Sequence, residues 1–252
     1  PFQSFMAYRL NVKPLKVQSD YLTPDKRGQL VHWMMEYFWR PIDSQDQLNQ
    51  LTPKELEASQ NQAVIKALDK MEPYCQGKLS GVWRTLEQQR LTELLRVWID
   101  FEKTRDPFTV KALEKTLEAN IGQLKFKLRV DRIDELEDGG QLIIDYKTGG
   151  VVSTQAWLNE RTSEPQLPLY AVLVESQGIA VAKLKRANEV GLVGLVESEQ
   201  SLRSLKTFRG HQALSHWSDL LNFWMTEISQ LAHEYEMGLA SVSPTNTHVS
   251  CA

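Results

Sequence analysis

Cysteine is almost absent from this chain: Cys75 and Cys251 are the only two in 252 residues. They are too few and too far apart for a disulfide framework, so a reducing, cytoplasmic compartment is expected. No run approaches the roughly 18 consecutive apolar residues that a membrane span needs, and no signal peptide is visible. Neither sign of charge dominates. With 29 Lys and Arg against 32 Asp and Glu, the net charge is −3 and the pI is near 6.0. A generally basic coat for nucleic acid is thereby excluded, and any polyanion must be met through a local patch or through metal ions. The phosphate loop G-x-x-x-x-G-K-[ST] is missing, which excludes ATP hydrolysis by these residues. No nucleophile elbow occurs either, which argues against a small-molecule hydrolase. Internal repeats and low-complexity tracts are also lacking. The chain starts at Pro1 and stops at Ala252, and is read as a piece of a longer protein.

What is present is a 42% hydrophobic content, enough for a substantial core in one large domain or a domain with a helical insertion. Residues 1–10 are aromatic-rich at helical spacing. A helix from Pro24 to Trp39 is predicted by Leu30, Val31, Met34, Met35 and Phe38, which recur at three and four residues. Thr52-Pro53-Lys54-Glu55 reads as a capping box that opens a helix through about Met71. A third helix, Leu79 to Lys103, carries Trp83, Leu86, Leu91, Leu94, Leu95, Trp98 and Phe101 on one stripe, and all three helices are expected to turn their Trp and Leu stripes into the core.

The period then changes to two. Phe108–Glu118, Leu124–Leu136 and Gln141–Lys147 read as strands, followed by short helical stretches at 154–159 and 166–175 and further strands at 179–184 and 191–196. The segment 198–210 is loop-like, and a last amphipathic helix carries Trp217, Leu220, Leu221, Trp224, Ile228, Leu231 and Tyr235. This order implies an α/β sandwich, a mixed sheet covered by helices.

One hairpin holds the densest chemistry. Two apolar runs flank Asp138-Gly139-Gly140, a strong turn signal. Asp131 and Asp145 are equidistant from Asp138 and should face one another across the hairpin. Asp145 and Lys147 share a strand face, with Tyr146 pointing away. Like charges opposed in a ladder are destabilising, so a retained pair suggests a neutralising cation.

Val130-Asp131-Arg132-Ile133 followed by Ile143-Ile144-Asp145-Tyr146-Lys147-Thr148-Gly149 resembles motifs II and III of the PD-(D/E)XK nuclease superfamily, and in particular its RecB-type exonuclease branch. Arg27-Gly28-Gln29-Leu30-Val31-His32 resembles that branch's histidine-bearing helix, and Gln166-Leu167-Pro168-Leu169-Tyr170 its Q-x-x-x-Y motif. The four elements occur in the family's order. The resemblance implies a restriction-endonuclease-like α/β core: a helical insertion at 42–105 after the first helix, the core sheet and motifs at 106–197, and a C-terminal helix at 211–240. It also implies a metal-dependent DNA exonuclease of repair and recombination, intracellular and bacterial, accompanied by a helicase-like remainder of the chain or a helicase subunit.

By the same resemblance His32, Asp131, Asp145 and the main-chain carbonyl of Tyr146 would hold Mg²⁺ or Mn²⁺. Asp131, Asp145 and Lys147 would be catalytic, and Gln166 and Tyr170 would lie against the DNA backbone. The chemistry suits these residue types. Mg²⁺ takes one or two carboxylates and keeps several waters, whereas an imidazole shifts preference towards Mn²⁺. Lysine is a mobile point charge that can orient water or stabilise phosphate oxygens. Some members of the branch carry a 4Fe–4S cluster, held by one Cys before the opening Pro-Phe motif and three near the C-terminus. Cys251 alone cannot hold one; a longer parent chain could.

Other residues are read as structural. Asp134 would pair away from Asp145, with Arg132. Glu114 stands on the strand before the motif and could join the site, but is expected at a solvated strand position; Glu36 is a candidate partner for His32. Lys183, Lys185 and Arg186 form either a solvated strand end or a nucleic-acid contact. The alternative function is a catalytically silent, nuclease-like module that binds DNA or protein. Its signature would be loss of an acid or of the lysine, and Asp131, Asp145 and Lys147 are all retained.

Overall fold

The computed structural model describes residues 22–75, 77–149, 154–158, 164–184, 190–196 and 216–239. The aromatic-rich opening, the segment 198–210, Lys185, Arg186 and Cys251 lie outside them. Helix α1 (Pro24–Trp39) starts with proline in its first turn and buries Leu30, Val31, Met34, Met35, Phe38 and Trp39. A short helix α2 (Gln45–Gln50) follows, whose six residues were too few to show a period. Helix α3 (Pro53–Met71) is opened by the capping box: Glu55 N–H donates to Thr52 Oγ1 at 3.3 Å, and Thr52 N–H donates to the Glu55 carboxylate at 2.9 Å. A 3₁₀ turn (Glu72–Cys75) leads to helix α4 (Gly81–Glu102), which buries Leu91, Leu94, Leu95 and Trp98. Trp83 and Leu86, expected on the same buried stripe, are instead 49% and 45% exposed.

Five strands form one mixed sheet in the order β1 (Phe108–Ile121), β2 (Leu124–Leu136), β3 (Gln141–Lys147), β4 (Gly178–Leu184), β5 (Val190–Val196). All neighbours are antiparallel except β3 and β4. That parallel pair needs a long crossover, which contains α5 (Gln155–Leu158) and α6 (Gln166–Val174). Both faces of the sheet are covered. Leu142, Ile144, Tyr146, Ala180, Ala182 and Leu184 pack with α1, α3 and α4. Ile143, Ile179, Val181 and Leu195 pack on the other side with α5, α6 and α7 (Trp217–Glu236). Burial on both faces is why β3 and β4 read as continuous apolar runs.

Specific bonds fix the second layer. Trp217 Nε1 donates to Ser176 O at 2.6 Å, and Trp224 Nε1 to Trp157 O at 2.7 Å. The last turn of α7 grips the β1–β2 hairpin, where Gln123 N–H donates to Glu236 Oε1. Gly122 in that turn has φ +58°, and a Cβ on it would lie 2.5 Å from the same carboxylate. The β2–β3 turn places Gly139 at φ +81°, with Gly140 N–H capped by Asp138 Oδ1 at 2.9 Å. Among the described residues no helix is long and apolar enough to cross a membrane.

Between the sheet and the first helical layer lies a buried ionic group. Arg132, Asp134 and Glu102 have fully buried side chains. Arg132 Nε and Nη2 donate to Asp134 at 2.6 and 2.9 Å, and its Nη1 donates to Glu102 at 2.6 Å. Asp134 therefore turns away from Asp145 into an ion pair with Arg132.

Candidate metal and nuclease site

The site forms where three strands and two helices meet. Arg132 opposite Ile144 is the last ladder pair between β2 and β3, so continuing the register by one step brings Asp131 opposite Asp145. The register is thus the one expected from the turn, but the two acids do not form a ladder pair. The strands part at this point, and Asp131 Oδ2 instead accepts the Tyr146 N–H at 2.9 Å. Strand β2 also changes phase here. Leu124, Phe126, Leu128 and Val130 face the α7 side, whereas beyond Asp131 it is Ile133 that does so.

Helix α1 delivers His32 across the end of β3. Its Nε2–H donates to Tyr146 O at 2.9 Å, and Nδ1 lies 3.3 Å from Asp131 Oδ1. The helix comes close because Gly28, one turn before His32, has no side chain: a Cβ there would sit 3.2 Å from Thr148 Oγ1. Glu36 is not the partner of His32; it pairs with Arg40 and with Lys70.

Asp145 is 4% exposed. Its Oδ1 accepts from Gln166 Nε2 at 3.1 Å. Lys147 Nζ lies 3.0 Å from Oδ2, so this buried oxygen is ion-paired with the ammonium. Gln166 and Tyr170, four residues apart on α6, share a helix face, with Gln166 Nε2 3.0 Å from Tyr170 Oη. Tyr170 Oη donates to Arg129 O at 2.8 Å, tying α6 to β2.

Glu114, expected at a solvated position, is a correction. Its side chain is 12% exposed, and a carboxylate oxygen joins ligand atoms of His32 and Asp131 in a group within 4.8 Å of one another. A signal existed: Glu114 and Asp131 are equidistant from the Gly122-Gln123 turn, just as Asp131 and Asp145 are from Asp138.

Electrostatics follow from the crowding of acids in a poorly hydrated place. Burial raises the Asp145 carboxyl above its ordinary value, and the Asp131 charge adds to this, against the pull of Lys147. Burial also raises Glu114, with Arg129 opposing and Asp131 reinforcing. Burial alone would lower His32, but the Asp131 hydrogen bond and the charges of Asp131, Asp145 and Glu114 overcome it and raise the imidazole. For Lys147, burial is likewise outweighed by Asp145, and the ammonium is held above its usual value.

Carboxylate oxygens, an imidazole nitrogen and a main-chain carbonyl are a donor set that suits Mg²⁺ or Mn²⁺. The family model described as PD-(D/E)XK nuclease superfamily matches residues 1–251. The chain belongs to the PD-(D/E)XK nuclease superfamily. Its mixed sheet with flanking helices is the α/β fold of that family, whose members are typically phosphodiester-cleaving nucleases that use divalent metals. No curated protein matches the chain. Among solved structures, one titled "Crystal structure of SSO0001" aligns at 12% identity over 96% of this chain and 85% of that one, with a TM-score of 0.30.

The opposed acids make a stability prediction. A group whose pKa is raised on folding contributes stability below its unfolded value that is lost as pH rises through the folded value. For Asp145 that loss begins above its ordinary 3.8. In chelator-treated protein, Asp145→Asn should therefore melt above the parent at neutral pH. The gain should be on the order of 2–4 °C, which corresponds to about 1 kcal/mol for a chain of this size. It should vanish as pH falls towards 4. Scanning calorimetry of both proteins across pH checks this, and a lower melting temperature for the variant at neutral pH would show that the two acids do not repel.

Proposed function

We propose that this chain is a divalent-metal-dependent deoxyribonuclease, an exonuclease of RecB type that works in DNA repair or recombination. The observation that carries the reading is the arrangement of His32 between Asp131 and the Tyr146 carbonyl, with the Asp145–Lys147 pair beside it. Family membership supports hydrolysis of phosphodiesters. Asp131, Asp145, His32 and the Tyr146 carbonyl would hold the ion. Bound there, a divalent cation supplies charge against the scissile phosphate and lowers the pKa of a water.

The remaining work falls to the chain itself. Lys147, whose ammonium is 41% exposed, orients the attacking water or stabilises a phosphate oxygen from the rim of the site. Gln166 holds Asp145 through Oδ1, and the other oxygen, paired with Lys147, would turn to the cation. Tyr170 and Gln166 together form the wall along which the DNA backbone lies. The helices within 42–105 are read as an insertion that buttresses this core, and a helicase-like remainder or subunit as the source of unwound substrate.

End-labelled single- and double-stranded DNA incubated with Mn²⁺ or Mg²⁺ tests the reading. Loss of label in mononucleotide steps, abolished by chelator, is expected, and it reports polarity and strand preference together. Intact DNA under both metals, in protein shown to bind Mn²⁺, would overturn the assignment.

A further inference from the structure

Glu114 completes a row of acids that crosses three neighbouring strands. Leu113 pairs with Arg132 and Lys115 with Val130, so Glu114 stands opposite Asp131 just as Asp131 stands opposite Asp145. Both ladders are interrupted at that level. Opposed carboxylates are destabilising unless something positive lies between them, and here the arrangement occurs twice in succession. The backbone at Glu114 is also unusual, with φ +49°, a left-handed conformation rarely adopted by a glutamate. Such an outlier persists only where its surroundings enforce it.

The Glu114 carboxylate is directed at His32 and Asp131 rather than at solvent. Its Oε2 lies 2.7 Å from Arg129 Nε, yet this buried oxygen receives no hydrogen bond. On the far side of Asp131, by contrast, Asp145 at 4% exposure already has Lys147 Nζ 3.0 Å from Oδ2. We propose that Glu114 is a further cation ligand of this chain, giving a carboxylate oxygen to a divalent ion shared with His32 and Asp131. The proposal rests on the metal-site reading above and adds a residue that the motifs do not contain. Arg129 then serves as the counter-charge that holds Glu114 when no cation is bound.

Calorimetric titration of the chelator-treated chain with Mn²⁺ tests this without reference to cleavage. Glu114→Gln should weaken Mn²⁺ binding roughly ten- to a hundred-fold, with a melting temperature in metal-free buffer no lower than the parent's. Glu114→Gly, which suits the left-handed backbone, carries the same measurement should the glutamine variant fail to fold. Arg129→Gln should bind Mn²⁺ at least as tightly as the parent, because a competitor for the carboxylate is removed. If Glu114 merely anchored Arg129, both Glu114 variants would bind Mn²⁺ as the parent does, and the proposal would be overturned. Failure of the nuclease reading looks different: the parent would leave DNA intact while Glu114→Gln still lost Mn²⁺ affinity.

Discussion

Lys147→Ala is expected to reduce metal-dependent DNA cleavage by roughly 10²–10³-fold, the loss typical when one preorganised electrostatic partner of a transition state is removed. The side chain is close enough to Asp145 to be aimed by it, at 3.0 Å, yet its ammonium remains 41% exposed and can reach a bound phosphate. Arginine should not substitute well, because a planar fork cannot occupy the position of a compact point charge. A built-in control stands on the next strand. Lys183 is the ladder partner of Lys147, so Lys183→Ala removes equal charge one strand away and should retain most of the activity. Asp145→Ala should reduce cleavage at least as much as Lys147→Ala does. The measurement is initial rate on end-labelled DNA at saturating Mn²⁺, with circular dichroism to show that each variant is folded. If Lys147→Ala or Asp145→Ala cuts as fast as the parent, the site is wrongly placed; if Lys183→Ala is equally damaging, bulk charge rather than position matters.

Much of the architecture was legible because its determinants are local. The capping box at Thr52 and Glu55, the proline at the start of α1 and the Asp138-Gly139-Gly140 turn each fix an element boundary through bonds between neighbours in sequence. Register was legible for the same reason, since a tight turn sets every pairing that follows. What escaped were consequences of tertiary contact. Trp83 and Leu86 keep the helical spacing of the stripe yet are exposed, because which turns of a helix are covered is set by its neighbours and not by its period. The parting of β2 and β3 at Asp131 depends on the Tyr146 N–H finding a side-chain acceptor instead of a strand partner. Glu114 was hidden by a change of phase: Leu113 packs on the α1 side and Leu117 on the α7 side, so strict alternation along β1 misassigns what lies between. Gln166 and Tyr170 could be placed on one helix face, but their bonds to Asp145 and Arg129 O require the crossover to bring α6 back over β2 and β3.

Arg132→Leu is the substitution expected to damage stability most, and it separates the two faces of the sheet. The guanidinium is fully buried and lies 4.1 Å from the Trp39 ring centroid and 4.8 Å from that of Phe108. Asp134 and Glu102 turn their carboxylates onto it, and Arg105 closes the group with Nη2 3.0 Å from Asp134. Removing Arg132 leaves two buried acids facing each other with one remaining cation, a situation that costs about 3–5 kcal/mol. At roughly 2–4 °C per kcal/mol for a chain of this size, the melting temperature should fall by about 6–20 °C. The loss comes from stranded charge and not from the arginine's own bonds. Replacing Glu102, Arg105, Arg132 and Asp134 together with apolar residues of similar volume leaves no charge of the group unpaired and should therefore recover much of it. A quadruple variant no more stable than Arg132→Leu would show that packing, not charge, is what the arginine supplies. The network lies on the α1 side of the sheet and not beside Asp145, so Mn²⁺ affinity measured well below the melting transition should match the parent's. Glu114 and Arg132 variants thus have opposite expected signatures, metal affinity without stability and stability without metal affinity. Thermal melts and Mn²⁺ titrations on the same preparations distinguish them.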